Sequence, residues 1–275
     1  MLRDVRRNTW IAYTLLTLLS IFMIFPFFWM LVSSFKDAEQ IFKAAILPSN
    51  PTTANYRFLF FDRHSKFPLW FANSVMVAAA TTGSVVLFDS LLGYTLAKFV
   101  FPGKKLIFLL IMSTLMIPTE MLVIPWYSLS ITLKWVDSYW GIMFPGMMSA
   151  FGVFLMRQFS STIPDELIDA ARIDGQTEFR IFLTIILPLL GSALATLTIF
   201  NFIGNWNAFL WPLIIASGPA KFTLPVGLAN FSGELGNEWH LIMAGATISM
   251  APLILVFLIF QRKIIRGITL SGLKG

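Results

Sequence analysis

Long apolar runs alternate with short polar gaps along this chain. Six stretches, about 10–35, 69–97, 105–128, 139–160, 184–216 and 240–262, each hold the roughly 20 mostly apolar residues that a helix needs to cross about 30 Å of hydrocarbon. The pattern predicts an all-α, polytopic membrane protein with six transmembrane helices, forming one transmembrane domain over 1–275. An even number of spans puts both termini on one face. Ordering the gaps places most of the 20 Lys and Arg on that face, in clusters at Arg3 to Arg7, Lys98 to Lys105, Arg157 to Arg180 and Arg262 to Lys274, so both termini are expected to be cytoplasmic. The first run follows Arg6-Arg7 but lacks a small-x-small cleavage pattern, and it reads as a retained helix.

The runs are interrupted at identifiable places. The third carries Pro118 and Pro125, and the fifth carries Gly204-Asn205-Trp206-Asn207 followed by Pro212. Proline removes an intrahelical donor and crowds the preceding turn, so both runs are expected to kink. The fifth is too long for one straight crossing, and a break between Gly204 and Pro212 would leave the Asn205 and Asn207 amides at membrane depth, where they must face protein or water. Residues 36–68, with Pro48-Ser49-Asn50-Pro51, read as an external loop, and Phe101-Pro102-Gly103-Lys104-Lys105 as a tight turn.

Composition agrees with the pattern. A chain with 57% hydrophobic and 12% charged residues, and a mean hydropathy of +0.76, carries more apolar surface than a soluble domain can bury. The net charge of +6 comes from short flanks of apolar runs and not from one patch, so no nucleic acid partner is expected. With no cysteine, a disulfide framework, a thiolate metal site and a Cys nucleophile are excluded. His64 and His240 lie far apart without ligand spacing, and no metal site is expected. Gly267 to Lys274 has Leu273 where a phosphate loop needs lysine, so the chain is expected to bind no nucleotide.

The gap at 161–180 is the richest in local signals. Thr162 is expected to cap a short helix with Asp165 three residues on, Pro164 suits a first turn, and Asp165 and Glu166 complement its positive end. Gly175 can take the left-handed conformation that ends the helix, and Thr177 can cap the next one. Leu167, Ala170, Ala171 and Asp174 fall on one face at helical spacing. Such a helix either lies on the membrane surface or docks another protein, whose backbone two alanines would let come close.

Asp169-Ala170-Ala171, then Gly175, then Ile185-x-Leu187-Pro188 resembles the EAA loop of ABC importer permeases, with Asp169 in place of the family's glutamate. Asn73-Ser74, Gly93-Tyr94-Thr95-Leu96-Ala97, Met116-Ile117-Pro118, Trp206-Asn207 and the tail from Gln261 to Gly275 extend the resemblance, and are similar to the smaller permease of carbohydrate-type systems such as the maltose transporter. The resemblance implies a subunit of a bacterial inner-membrane, binding-protein-dependent importer for a sugar or oligosaccharide. It implies as partners a second, homologous permease, a dimer of ATPase subunits carrying ATP-Mg, and an extracytoplasmic solute-binding protein. As a membrane subunit driven by a partner, the chain is expected to hold no catalytic residue and not to be an enzyme itself. It makes 161–180 the coupling loop, with Glu166, Asp169, Ala170, Ala171, Asp174 and Gly175 meeting the ATPase, and the C-terminal tail a second point of contact. Sugar alcohol, glycerol phosphate and uronate oligomer cargoes stay open.

Two rival readings rest on other residues. Asp89 and Glu120 lie in or near spans, and an intramembrane carboxylate is expensive enough to suggest proton-coupled secondary transport. A scaffold without transport leaves the glycine knuckle and the broken fifth run without a purpose. Asn205, Trp206 and Asn207 either line a sugar path, by ring stacking and amide hydrogen bonds, or pack against a partner permease. Tryptophans near span ends, among them Trp70 and Trp126, are expected to form an aromatic belt.

Overall fold

The computed structural model describes residues 2–233 and 236–272, with side chains described for 9–232 and 238–261. The tail side chains from Arg262 onward therefore lie outside the described residues. In chain order the elements are α1 (Leu2–Ser33), α2 (Ala54–Phe61), α3 (Phe67–Lys98), α4 (Lys104–Thr114), α5 (Val123–Thr132), α6 (Tyr139–Met143), α7 (Ala150–Ser160), α8 (Asp165–Ile173), α9 (Glu178–Ile181), α10 (Leu187–Leu189), α11 (Gly191–Trp206), α12 (Leu210–Ile215), α13 (Leu224–Ala229), a hairpin of β1 (Ser232–Gly233) and β2 (Gly236–Asn237), and α14 (Trp239–Gly272).

Three segments are unbroken helices long and apolar enough to cross a bilayer: Thr9–Ser33, Phe67–Lys98 and Trp239–Gln261. Three more pass the same test only as bent pairs: Lys104–Thr114 with Thr119–Thr132 at 96°, Tyr139–Gly146 with Ala150–Ser160 at 46°, and Glu178–Leu189 with Gly191–Trp206 at 83°. The chain thus holds up to six spans, counting each bent pair as one. The bend before Thr119 falls at Pro118, as proline chemistry requires.

The 83° bend falls elsewhere than expected. Residues Phe182–Ile186 form a widened π-type turn, Pro188 follows, and the backbone swings at Leu190 (φ −81°, ψ 13°) before Gly191. A proline that cannot donate and a glycine that tolerates any direction allow the turn there. The helix then runs through Gly204 to Trp206, stops, and resumes at Leu210.

The chain divides into two compact units, Met1–Pro68 with Gly227–Ala251, and Leu69–Val226 with Pro252–Gly275. In the first unit the polar loop after α1 is knitted by side chains. Asn55 Nδ2 donates to Ser34 O and Lys36 O, both at 2.8 Å, Lys36 Nζ donates to Ala45 O at 2.6 Å, and Gln40 Oε1 accepts from Ser49 N at 2.9 Å. These bonds satisfy buried groups that would otherwise lose water without replacement. Gln40 also donates Nε2–H to Asp37, which holds that carboxyl below its ordinary range.

In the second unit α3 and α7 run in the same direction where they touch. Gly93 on α3 leaves no room for a Cβ against Met156 Cβ (2.6 Å) and Arg157 N (2.7 Å), and a Cβ on Gly152 of α7 would collide with the Asp89 carboxylate. Small residues at such contacts let helix backbones approach closely in a membrane. Around them a core of Val85, Tyr94, Met156, Ile168, Phe182, Ile186 and Leu197 is fully buried or nearly so.

Candidate functional site

The segment between α7 and α9 is built from its capping chemistry. Pro164 stands at the N-cap of α8 with no side-chain cap bond, while Thr162 Oγ1 donates backwards to Phe159 O at 2.8 Å. The expected Thr162 cap is thus absent, because the hydroxyl turns back to the Phe159 carbonyl at the end of α7, which Thr162 N also meets at 3.2 Å. The first turn is held from outside instead. Lys98, in the last turn of α3, donates Nζ–H to Asp165 Oδ1 at 2.6 Å and also to Ile163 O.

At the other end Gln176 N donates to Ala171 O and Gly175 N to Arg172 O, each at 3.0 Å, the paired bonds of a Schellman motif. Gly175 takes φ +77°, a region that costs any side-chain-bearing residue roughly 1–2 kcal/mol. Thr177 then caps α9 by accepting from Arg180 N. Arg172 crosses the corner, with Nε to Glu178 Oε1 at 2.6 Å and Nη1 to Asp169 Oδ1 at 2.9 Å, and these two carboxylates raise its already high pKa further. Tyr94 OH donates to the other Glu178 oxygen at 3.4 Å.

The structure separates the named residues of this loop. Ile168 and Ala171 are buried in the core beside Met156, Ile181 and Phe182, whereas Glu166, Leu167, Asp169, Ala170, Asp174 and Gly175 are exposed. Only one alanine is open to a partner, since Ala171 turns inward with Ile168 at the spacing of a buried seam. Ile173 is 86% exposed, an apolar group that periodicity did not single out. Lys98, Arg172, Glu178 and Tyr94 were also missed. Arg172 had a local clue in its spacing from Asp169, but nothing local links Lys98 to Asp165 across 67 residues.

Asn205, Trp206 and Asn207 do not converge. Trp206 is 2% exposed, stacked on Phe202 at 5.9 Å and set edge-on to Phe71 at 5.6 Å, so its ring packs within the chain and is closed to a ligand in this conformation. Asn205 Nδ2 donates to Asn201 O and Oδ1, and Gly146 makes room for its carbonyl. Asn207, just past the end of α11, is exposed. Trp70 is likewise buried, donating Nε1–H to Pro219 O at 2.9 Å, and Trp126 packs edge-on to Trp211 at 5.6 Å.

Asp89 is fully buried in α3, where both carboxylate oxygens accept Ser149 N, at 3.1 and 3.3 Å, at the start of α7. The positive end of α7 thereby faces the carboxyl group. Glu120 lies exposed in the turn Thr119–Leu122. Neither has a titratable partner poised for a proton relay among the described residues.

Long apolar helices, sharply bent apolar pairs and one exposed, braced corner define a multi-pass helical membrane protein. The chain belongs to the family of binding-protein-dependent transport system inner membrane components, whose family model matches residues 89–270. It is similar to the arabinooligosaccharides transport system permease protein AraQ of Bacillus subtilis (37% identical, 96% of both chains) and of Halalkalibacterium halodurans (35%, 97% of both). It is also similar to the sn-glycerol-3-phosphate transport system permease protein UgpE of Pectobacterium atrosepticum (35%, 90% of both chains). Its fold matches a crystal structure of a bacterial ABC transporter involved in import of the acidic polysaccharide alginate, with a TM-score of 0.83 at 23% identity over 94% of this chain and 97% of that one.

Proposed function

We propose that this chain is one permease subunit of an ATP-driven, binding-protein-dependent importer for a sugar or oligosaccharide. It forms half of the translocation pathway through six spans with cytoplasmic termini, beside a second, homologous permease. The reading is supported by its near full-length similarity to AraQ, and a further relative in fold is an alginate transporter in complex with an alginate pentasaccharide-bound periplasmic protein (TM-score 0.66). In this assembly an ATPase dimer carrying ATP-Mg supplies the energy, and an extracytoplasmic binding protein delivers the cargo.

The observation that carries the coupling role is the exposed corner α8–Gly175–α9, tied through Lys98 to α3 and through Arg172 across its own bend. Glu166, Asp169, Ala170 and Asp174 present the surface that meets the ATPase, Gly175 sets the angle, and Ala171 anchors the helix to the core. A ligand or partner shifts a two-state equilibrium only by its differential affinity for the states, and a corner fixed to α3 transmits that difference. Trp206 serves packing here, and Asn207 is the better placed of the three to meet cargo. Gly175→Leu tests the reading in proteoliposomes with ATPase and binding protein present. Uptake should fall to background while the protein remains in the membrane, and normal uptake would overturn the coupling assignment.

A further inference from the structure

A cavity of about 930 Å3 opens beside the start of α4, and its lining includes Lys104, Lys105, Arg157, Leu106, Phe108 and Leu109 with no acidic side chain. Lys104 and Lys105 stand in the first turn of α4, which carries no acid, so two cations sit at the positive end of a helix, where they are disfavoured. Lys104 is already engaged, donating to Ala97 O and Phe99 O at 3.1 and 2.8 Å and closing the end of α3. Lys105 is exposed and has no partner among the described residues. Arg157 uses Nε on Leu96 O at 3.3 Å and lays its guanidinium over Phe108 at 4.1 Å, which leaves its Nη groups free to donate.

From these observations we infer that the cavity binds the headgroup of an anionic phospholipid. Its phosphodiester sits between Lys105 and the Arg157 Nη groups and neutralises the crowded helix end. Its acyl chains follow Leu106 and Leu109, which are 61% and 53% exposed on the same helix. The apolar wall selects lipid over a free phosphate, which would satisfy the charge and leave that wall in water. The cavity lies where an apolar helix pair begins, the depth at which basic residues meet lipid headgroups.

The chain, purified in mild detergent with whatever assembles on it, is stripped of lipid and titrated with dioleoylphosphatidylglycerol or dioleoylphosphatidylcholine, with adducts read by native mass spectrometry. The anionic lipid should be retained about tenfold more strongly, Lys105→Gln should weaken it about fivefold, and Lys105→Glu should abolish the preference. Lys43→Gln, in the polar loop after α1, should change nothing. Equal retention of the two lipids, a preference that survives Lys105→Glu, or one removed by millimolar inorganic phosphate would each overturn the proposal. The result does not depend on the transport reading, because it measures binding and not uptake.

Discussion

Gly175 was legible as a helix stop because its role is local: polar start signals, a helical stretch, then a residue free to take positive φ. Gly93 and Gly152 were not, because each answers to a neighbour about 60 residues distant in the chain. Their roles differ measurably. Gly93→Ala pushes a methyl into the backbone at Arg157, and we expect roughly 1–3 kcal/mol of destabilisation, read as a lower unfolding midpoint in detergent. Gly83→Ala, with open space around it, should be neutral or slightly stabilising, since alanine favours helix by about 1 kcal/mol. Equal midpoints would remove the case for a close α3–α7 contact. Asp89 makes a similar distinction. Asp89→Asn keeps an oxygen for Ser149 N and should preserve ATP-driven uptake, whereas Asp89→Leu leaves that donor unpaired and should destabilise by about 1–3 kcal/mol. Loss of uptake in the asparagine variant alone would revive the proton-coupled reading.

Apolar runs mark helices well but do not mark where they turn. The stretch 184–216 is apolar through Leu189, Leu190 and Gly191, so hydropathy passes over the 83° swing there, and Pro188 with Gly191 is the local hint. The end of α11 at Trp206 was easier, falling in a stretch of glycine, asparagines and proline. Within the corner, α8 was legible from its acidic first turn and its glycine stop though Thr162 does not cap it, and its inward face was not legible, since periodicity groups Ala170 with Ala171 and only the core shows which is covered. The ties of Arg172 are exposed, and exposed ion pairs contribute about 0–1 kcal/mol, so Arg172→Gln should leave the unfolding midpoint nearly unchanged. If the corner carries force as proposed, an importer assembled with the same variant should still consume ATP on its ATPase subunits while importing less cargo per ATP. Unchanged coupling in it would make the ties ornamental.

For the whole molecule, membrane residence was the most legible property, because apolar residues such as Leu15, Phe22 and Ile24 stay exposed in the fold and need a solvent other than water. Pairing with other chains is not written in one sequence, which is why partners enter through resemblance and relatives. The energy source is open to direct measurement. Uptake in vesicles should require ATP and persist with a protonophore when ATP is maintained, and the opposite pattern would reject the importer. The seating of Asp89 has a consequence for biosynthesis. Its partner, Ser149 N–H, is made 60 residues later, so a nascent α3 enters the bilayer with an unanswered carboxylate, which insertion scales rate at about 2.5–3.5 kcal/mol near a helix centre. That helix is therefore expected to be held less firmly until the start of α7 has been made. Nascent chains arrested before Ser149 should hold α3 less firmly than chains arrested beyond Ser160.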